Sequence, residues 1–301
     1  MRRSTVTPLR CTFSLPFGFF GPCQYAPPAA GRPITQPCHR GRTAQGTLSG
    51  CVIAGGLMVA TLGVSAEPDA MRVFGTMGDA KYSQELWRAG ANLYSRILRH
   101  PFLLGLVRGD LPTAKFGFFL EQDMAFLDLY SRSICLLAAR APGAQAVRQF
   151  SRDAADSLGA EQDAESGWLE QLGLQASGEV EPAPTTLAYG RFLLSEVQSG
   201  SFLQGVAAVL PCYWVYHEVG RELARLGSPT PVYQRWIDNY SSQDFEAVTA
   251  RVRAILDQEA STASALELES GRRSYLVALR YEWMFWDMAW RMERWPVSDG
   301  P

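Results

Sequence analysis

The sequence predicts an all-α protein. From residue 83 onward, apolar residues recur three and four positions apart, the spacing that lines one face of an α-helix. No sustained run alternates β-branched with polar residues, as a half-buried strand would. No internal repeat is evident, so we predict one helical bundle from about residue 80, although the helical period alone does not specify which bundle.

Prolines, glycines and serines divide the chain into successive helices. The first carries Leu86, Leu93 and Ile97 and is expected to end near His100, because Pro101 breaks or kinks a helix. Further helices are predicted at residues 112–139, 144–173, 185–197, 202–226, 233–240, 242–256 and 263–292. Gly173 is a predicted helix stop and Ser242 a predicted N-cap. The apolar face of the last helix is expected to include Leu266 and Met284.

Composition narrows the classes of partner. With 47% apolar and 19% charged residues, the 301-residue chain has an ordinary globular composition. A net charge of -2 and a pI near 6.0 give no reason to expect nucleic acid or an anionic membrane. Six cysteines without a CxxC pair, and only three histidines, argue against a metal site, and we expect no cofactor. The remaining partners are a small molecule or a protein.

The first part of the chain differs from the rest, because it is rich in arginine and proline and has no acidic residue before Glu67. Three interpretations are an over-extended start, with the true one at Met58, Met71 or Met77, an organelle transit peptide, and an export signal. The first is favoured, which implies a cytoplasmic protein, or an organellar one if the extension is a transit peptide. The predicted organisation is an extension at 1–78, a helical domain at 79–296 and a tail at 297–301.

The stretch PCYWVYHEVG, residues 211–220, is the first candidate for chemistry. Cys212 and Tyr216 are four residues apart, so their side chains share a helix face. A cysteine in a helix is more often a small buried hydrophobe, but this one stands among hydroxyl-bearing aromatic residues. As a nucleophile it would need a proton acceptor to become a thiolate.

Glu282 is the best acceptor that the sequence offers. Phe285 and Trp286 follow on the same helix face, so burial among aromatic rings should raise its pKa towards neutrality. The alternative is an interface glutamate paired with Arg280.

Asp123 is a lone acid on an apolar helix face. It could be a buried hydrogen-bond acceptor or could bind an amino-substituted ring. Tyr189 and Tyr240 are less informative alone, because tyrosine often packs with its hydroxyl at a boundary.

Five motifs taken together resemble the thiaminase II (TenA) family, in its cysteine-bearing class, with a haem-oxygenase-like helical fold. They are FFLEQDMAFL from Phe118, PTTLAYGRF from Pro184, LPCYWVYHEVG from Leu210, YQRWIDNYSSQDF from Tyr233 and YEWMFWDMAW from Tyr281. The resemblance implies that Cys212 is the nucleophile and Glu282 the acid/base at a ring nitrogen. It implies that Asp123 binds the pyrimidine nitrogen and amino group, and that the side chains of Tyr189, Tyr216 and Tyr240 contact the ring or the acid/base.

Two positions depart from the family pattern. Phe126 stands where tyrosine is commoner, so stacking on a ring is kept but the phenol hydroxyl is lost, which leaves rate and substrate range open. Glu165 stands where many members have a histidine, and no role is assigned to it.

The reaction implied is hydrolysis of an aminopyrimidine in thiamin salvage. It releases ammonia from 4-amino-5-aminomethyl-2-methylpyrimidine, or thiazole from thiamin, by a homotetramer. Two alternatives stay open: a haem-oxygenase-like oxidoreductase acting with a quinone precursor or iron, and a non-catalytic pyrimidine-binding or regulatory protein.

Overall fold

A computed structural model of the chain describes residues 81–174 and 180–297, and every regular element in these residues is helical. The predicted all-α class is confirmed. The extension predicted at 1–78 and all but the first residue of the tail predicted at 297–301 lie outside the described residues.

The described residues contain ten α-helices and one π-helical turn. The α-helices are α1 (Tyr82–Leu98), α2 (Pro101–Arg108), α3 (Thr113–Arg140), α4 (Ala144–Asp156), α5 (Gln162–Gln171), α6 (Pro184–Ser199), α7 (Phe202–Ala224), α8 (Pro231–Tyr240), α9 (Gln243–Ala260) and α10 (Ala265–Arg291). The π-helical turn, Ser157–Glu161, joins α4 to α5.

The helix ends follow from local chemistry. Pro101 occupies the first turn of α2, where its missing N–H costs nothing, and the His100 ring nitrogen Nδ1 accepts the Phe102 N–H at 3.2 Å. Ser242 caps α9 by accepting the Phe245 N–H at 3.2 Å. Gly173 has the left-handed φ of 70° that ends a helix. The predicted break, cap and stop are therefore confirmed.

The core is built around α7 and α10, which pack along each other and against α3 and α6. Its centre is aromatic: the rings of Phe119 and Trp286 stack with centroids 5.1 Å apart, and Trp236 packs edge-on to Trp286. All three side chains are almost completely buried. Aromatic pairs of this kind add to the free energy of burial and fix the relative rotation of the helices that carry them.

Two expectations about the helices are wrong. The segment predicted as one helix over 144–173 is interrupted by the π-helical turn. Leu266 and Met284 do not belong to the buried stripe of α10, since 73% and 39% of their surfaces are exposed. Leu266 lies in the first turn of α10, and Met284 lies on a different side of the helix from the buried Glu282 and Phe285.

Helix α8 approaches α7 closely because Gly220 has no side chain. A Cβ at Gly220 would lie 2.6 Å from the Tyr240 carbonyl carbon and 2.8 Å from the Ser241 nitrogen. Backbone atoms cannot yield to such a contact as a flexible side chain can. The glycine therefore sets the position of Tyr240, one of the predicted site residues.

Replacing Gly220 by alanine should destabilise the fold, because the end of α8 must move to admit the methyl group. Overpacking of this kind costs about 1–3 kcal/mol in the free energy of unfolding. Urea denaturation followed by circular dichroism measures it. Gly167→Ala is the matched control, since a Cβ there meets nothing within 4 Å, and it should stabilise by about 0.5–1 kcal/mol. Equal stability of Gly220→Ala and wild type would contradict the packing argument.

Candidate active site

A cavity of about 440 Å³ opens inside the bundle. Its wall is made by side chains from α3 to α10, including the π-helical turn. All seven residues singled out in the sequence line it: Asp123, Phe126, Tyr189, Cys212, Tyr216, Tyr240 and Glu282. The fold thus brings together side chains that lie on five helices and up to 159 positions apart in the sequence.

Tyr189 joins the thiol to the carboxylate. Its hydroxyl donates a hydrogen bond to Glu282 Oε1 at 2.7 Å and lies 3.2 Å from the Cys212 sulfur. The single hydroxyl proton is committed to Glu282, so the phenol oxygen can accept the thiol proton. The three groups therefore form a continuous path along which a proton can pass from sulfur to carboxylate.

Burial sets the protonation states of Cys212, Tyr189 and Glu282, which we call the triad. It raises the pKa of the Glu282 carboxyl to about 7, against the opposing hydrogen bonds from the Tyr189 hydroxyl and the Cys212 thiol. Burial also raises the pKa of the Cys212 thiol well above its usual range, and the negative charge of Glu282 adds to that rise. At neutral pH the resting triad consequently holds a neutral thiol beside a carboxyl group that can either accept or donate a proton.

Aromatic rings form the sides of the cavity. Phe126 stacks on Tyr189 with centroids 4.9 Å apart and meets Phe285 edge-on at 5.6 Å. On another part of the wall, Tyr216 packs against Tyr240 at 5.0 Å. Flat rings held in these positions suit a flat aromatic ligand.

Pro211 gives α7 a local irregularity just before the thiol. A proline inside a helix has no N–H, so the carbonyl of Ala207 lacks its usual partner one turn earlier. Cys212 itself is only partly buried, whereas most of its helix is fully buried. The sulfur is thus accessible from the cavity.

A row of three carboxyl groups and one hydroxyl, which runs from α4 through the π-helical turn into α5, was not recognised in the sequence. Asp153, Ser157, Glu161 and Glu165 are spaced four apart, and all four line the cavity. In a straight α-helix such a row drifts by about 40° per step. The wider π-helical turn in the middle keeps the row facing the cavity, which fits the frequent occurrence of such turns at functional sites.

The row and the predicted residues together make the cavity strongly acidic. Seven carboxyl groups line it, namely Asp123, Asp153, Asp156, Glu161, Glu165, Asp244 and Glu282, and none of its described lining residues is Lys, Arg or His. Burial raises the pKa of Asp153 to about 6, and the Tyr213 hydroxyl, which donates to Asp153 Oδ2 at 3.0 Å, counteracts this. The sequence analysis also did not identify Tyr213 as a residue of the site. Its hydrogen-bond partner lies 60 positions away, and local spacing does not predict contacts at that separation.

Other polar residues near the motifs have structural partners. His217 Nδ1 lies 3.3 Å from the Tyr240 carbonyl oxygen, and Glu218 accepts the indole N–H of Trp214 at 3.2 Å. Neither lines the cavity. The alternative pairing of Glu282 with Arg280 is not observed, since Arg280 is exposed and Glu282 is 1% exposed.

Within residues 81–174 and 180–297, no group of three or more His, Cys, Asp or Glu side chains is arranged to hold a metal ion. Across the same part of the chain, no helix combines the length and apolarity needed to cross a bilayer.

Comparisons with a family model and with known proteins identify the same family. The sequence model of the TENA/THI-4/PQQC family matches residues 87–292. An aminopyrimidine aminohydrolase from Halalkalibacterium halodurans is 36% identical over 217 residues, which cover 71% of this chain and 94% of that protein.

Solved structures agree with this family. The TenA homologue from P. horikoshii OT3 superposes with a TM-score of 0.65 at 27% identity, covering 70% of this chain and 99% of that one. A haem-oxygenase-like domain from Shewanella denitrificans OS217 has a TM-score of 0.58 at 14% identity and covers 70% and 92% of the two chains, a likeness of fold alone. The haem-oxygenase-like bundle expected from the sequence is thereby confirmed.

The protonation state of Cys212 can be tested without any substrate. Because only the thiolate reacts with iodoacetamide, the partly buried Cys212 should be alkylated more slowly than the exposed Cys135 at neutral pH. Mass spectrometry of the digested protein measures both rates. In denaturant the two rates should converge, which serves as the control. Faster alkylation of Cys212 in the native chain would mean that its thiol is already ionised.

Proposed function

Because the chain belongs to the TENA/THI-4/PQQC family, we propose that it is an aminopyrimidine aminohydrolase. The proposed reaction converts 4-amino-5-aminomethyl-2-methylpyrimidine and water into 4-amino-5-hydroxymethyl-2-methylpyrimidine and ammonia. The activity carried in the name of the Halalkalibacterium halodurans relative supports this choice. Thiamin, which contains the same pyrimidine, is a second substrate of the same class, and the salvage role expected from the resemblance favours the aminomethylpyrimidine.

One observation carries the proposal: the Tyr189 hydroxyl lies between the Cys212 sulfur and the Glu282 carboxylate. A cysteine can attack carbon only as a thiolate, and a neutral thiol needs a base within hydrogen-bond reach. The triad supplies both the nucleophile and its base. A thiol that served packing alone would not require a buried carboxylate with a pKa near neutrality beside it.

The reaction follows from the electronic structure of the ring. The thiol proton passes to Glu282, the sulfur adds to the ring carbon next to the one that bears the aminomethyl group, and Glu282 protonates the adjacent ring nitrogen. The lone pair of the 4-amino group then drives electrons through the ring and expels the exocyclic amine as ammonia. Water adds to the resulting methylene and loses a proton to the released ammonia, the ring nitrogen returns its proton to Glu282, and the sulfur leaves.

Asp123 fits the step that expels ammonia. Positive charge develops on the 4-amino nitrogen as its lone pair moves into the ring, and a carboxylate that accepts hydrogen bonds from that amino group stabilises the charge. Phe126, Tyr216 and Tyr240 would hold the ring flat while this happens.

The acidic lining favours a cationic substrate. A protonated aminomethyl group and the thiazolium of thiamin both carry positive charge, and a cavity lined by carboxyl groups without a described Lys, Arg or His attracts cations. The homotetramer stays a prediction of the family resemblance, and the cytoplasmic location stays a prediction from the sequence.

Cys212→Ser should abolish release of hydroxymethylpyrimidine and ammonia while leaving the fold intact. A serine hydroxyl loses its proton far less readily than a cysteine thiol and is therefore a much weaker nucleophile. We expect kcat to fall by about 10³-fold or more. Chromatography of the pyrimidine product and an ammonia assay measure turnover, and circular dichroism checks the fold. Cys135→Ser, at an exposed site away from the cavity, is the control and should keep wild-type turnover. Unchanged turnover in Cys212→Ser would contradict the assignment of Cys212 as the nucleophile.

Glu282→Gln should remove the ionisation that controls the rate near neutrality. With a pKa of about 7, the carboxyl is ionised and able to accept the thiol proton only above that pH, so kcat/KM of the wild type should rise with pH through 7 and then level off. In the variant, kcat/KM should no longer rise with pH through 7, and its value should fall by about 10²–10⁴-fold. A pH–rate profile of both proteins tests this. If the rise persists in Glu282→Gln, another group is the base.

A further inference from the structure

Asp123 and Glu165 form a pair of buried carboxyl groups. They are 5% and 2% exposed, both line the cavity, and their side chains are hydrogen-bonded to each other. Glu165 Oε2 is fully buried and has no N–H or O–H donor among the described residues. A buried carboxylate oxygen without a donor is costly, so this oxygen needs an explanation.

A proton on Glu165 supplies that explanation. Two carboxyl groups in contact cannot accept hydrogen bonds from each other unless one of them is protonated and donates. No Lys, Arg or His of the described lining lies in the cavity to neutralise a second negative charge, and Glu161, one helical turn away from Glu165, adds negative charge. The burial of both groups, the partnerless Oε2 of Glu165 and the negative charge around the pair therefore favour one proton shared by the two carboxyl groups.

We propose that Glu165 is a positioning residue that stays protonated and donates its O–H to Asp123, so that Asp123 meets the aminopyrimidine as a fixed, singly charged acceptor. The inference rests on the proposed function, because it assigns Asp123 to the amino edge of the substrate. Glu165 touches the ring only through Asp123, which distinguishes it from the catalytic residues.

The proton belongs to Glu165 rather than to Asp123. Burial raises the pKa of Asp123 to about 6, and its hydrogen bond with Glu165 opposes that rise. Burial raises the pKa of Glu165 well above its usual range, and the negative charge of Asp123 raises it further. The surrounding groups that titrate are Glu161, Asp153 and Glu282 and the phenols of Tyr216 and Tyr240, none of which is cationic.

The arrangement solves a conflict in the proposed reaction. Asp123 must be ionised to stabilise positive charge on the 4-amino group, yet it is buried where ionisation is unfavourable. A neutral donor behind it stabilises the charge without cancelling it, as a cation would do. It also fixes the rotation of the carboxylate, so that the oxygen lone pairs not used by Glu165 face the ligand.

The kinetic test compares two substitutions at the same position. Glu165→Gln keeps a donor N–H for Asp123, whereas Glu165→Leu has a similar size and no donor. Loss of a hydrogen bond to a charged group should lower kcat/KM of Glu165→Leu by about 10- to 100-fold, and Glu165→Gln should recover most of it. Glu170→Gln, at an exposed position on the same helix, is the control. Equal losses in both Glu165 variants, or none in Glu165→Leu, would overturn the proposal.

Infrared spectroscopy gives a test that needs no turnover. Above the pH range in which Glu161 and Glu282, with pKa values of about 7, are protonated, the wild type should keep the carbonyl stretch of a protonated carboxylic acid. The band should disappear in Glu165→Gln and persist in Glu170→Gln. Because this comparison uses only conservative variants, it remains decisive even if Glu165→Leu fails to fold, and absence of the band in wild type would refute a protonated Glu165.

The two proposals fail in different ways. A wild-type chain that releases no ammonia from the aminopyrimidine would contradict the proposed function and leave the infrared band of Glu165 in place. A chain that turns over normally, with Glu165→Gln and Glu165→Leu indistinguishable, would contradict only the role of Glu165. Isothermal titration with the hydroxymethylpyrimidine product adds an affinity for each variant that does not depend on catalysis.

Discussion

The hydrogen bond from Tyr189 to Glu282 is the interaction on which the proposed chemistry depends. It holds a carboxylate that is 1% exposed in a fixed rotamer, and it leaves the phenol oxygen 3.2 Å from the Cys212 sulfur. A carboxylate in this position without a donor would be strongly destabilising. The tyrosine thus stabilises the folded protein and the ionised form of the base with one contact, and the packing of α6 against α7 and α10 keeps that contact in place.

The electrostatics of the cavity follow from burying many carboxyl groups without cations. Desolvation is the first cause of the raised pKa values of Asp123, Glu161 and Glu282, so these groups are protonated far more readily than carboxyls in water. Such groups can exchange protons with a substrate near neutral pH, which exposed carboxylates cannot do. The π-helical turn contributes one of these groups, because it brings Glu161 to the cavity.

Local spacing predicted the parts of the site that depend on one helix. Cys212 and Tyr216 share a face because they are four residues apart, and Glu282 was placed among aromatic rings for the same reason. Contacts between distant segments were beyond such reasoning: the bond from Tyr189 spans 93 positions, and the family resemblance alone suggested it. The segment 144–173 was predicted as one helix because its residues show no signal for a π-helical turn, and the burial of Asp153 and Glu165 was not predicted either. Glu165 was noticed and given no role, since a sequence does not show which carboxyl groups meet.

The neutral resting thiol has a consequence for how the nucleophile forms. Burial and the nearby Glu282 both oppose ionisation of Cys212, so the resting thiol is a weak nucleophile. Under the proposed function, a cationic aminopyrimidine would place a positive charge near Cys212 and Asp123, and an opposite charge lowers the pKa of a thiol and of a carboxyl group. The substrate then favours the ionised forms that the reaction requires, and the proton released by the thiol has a path through Tyr189 to Glu282. In this arrangement the charge of the substrate is part of the catalytic apparatus, and a neutral aminopyrimidine of the same shape would bind without activating the thiol to the same degree.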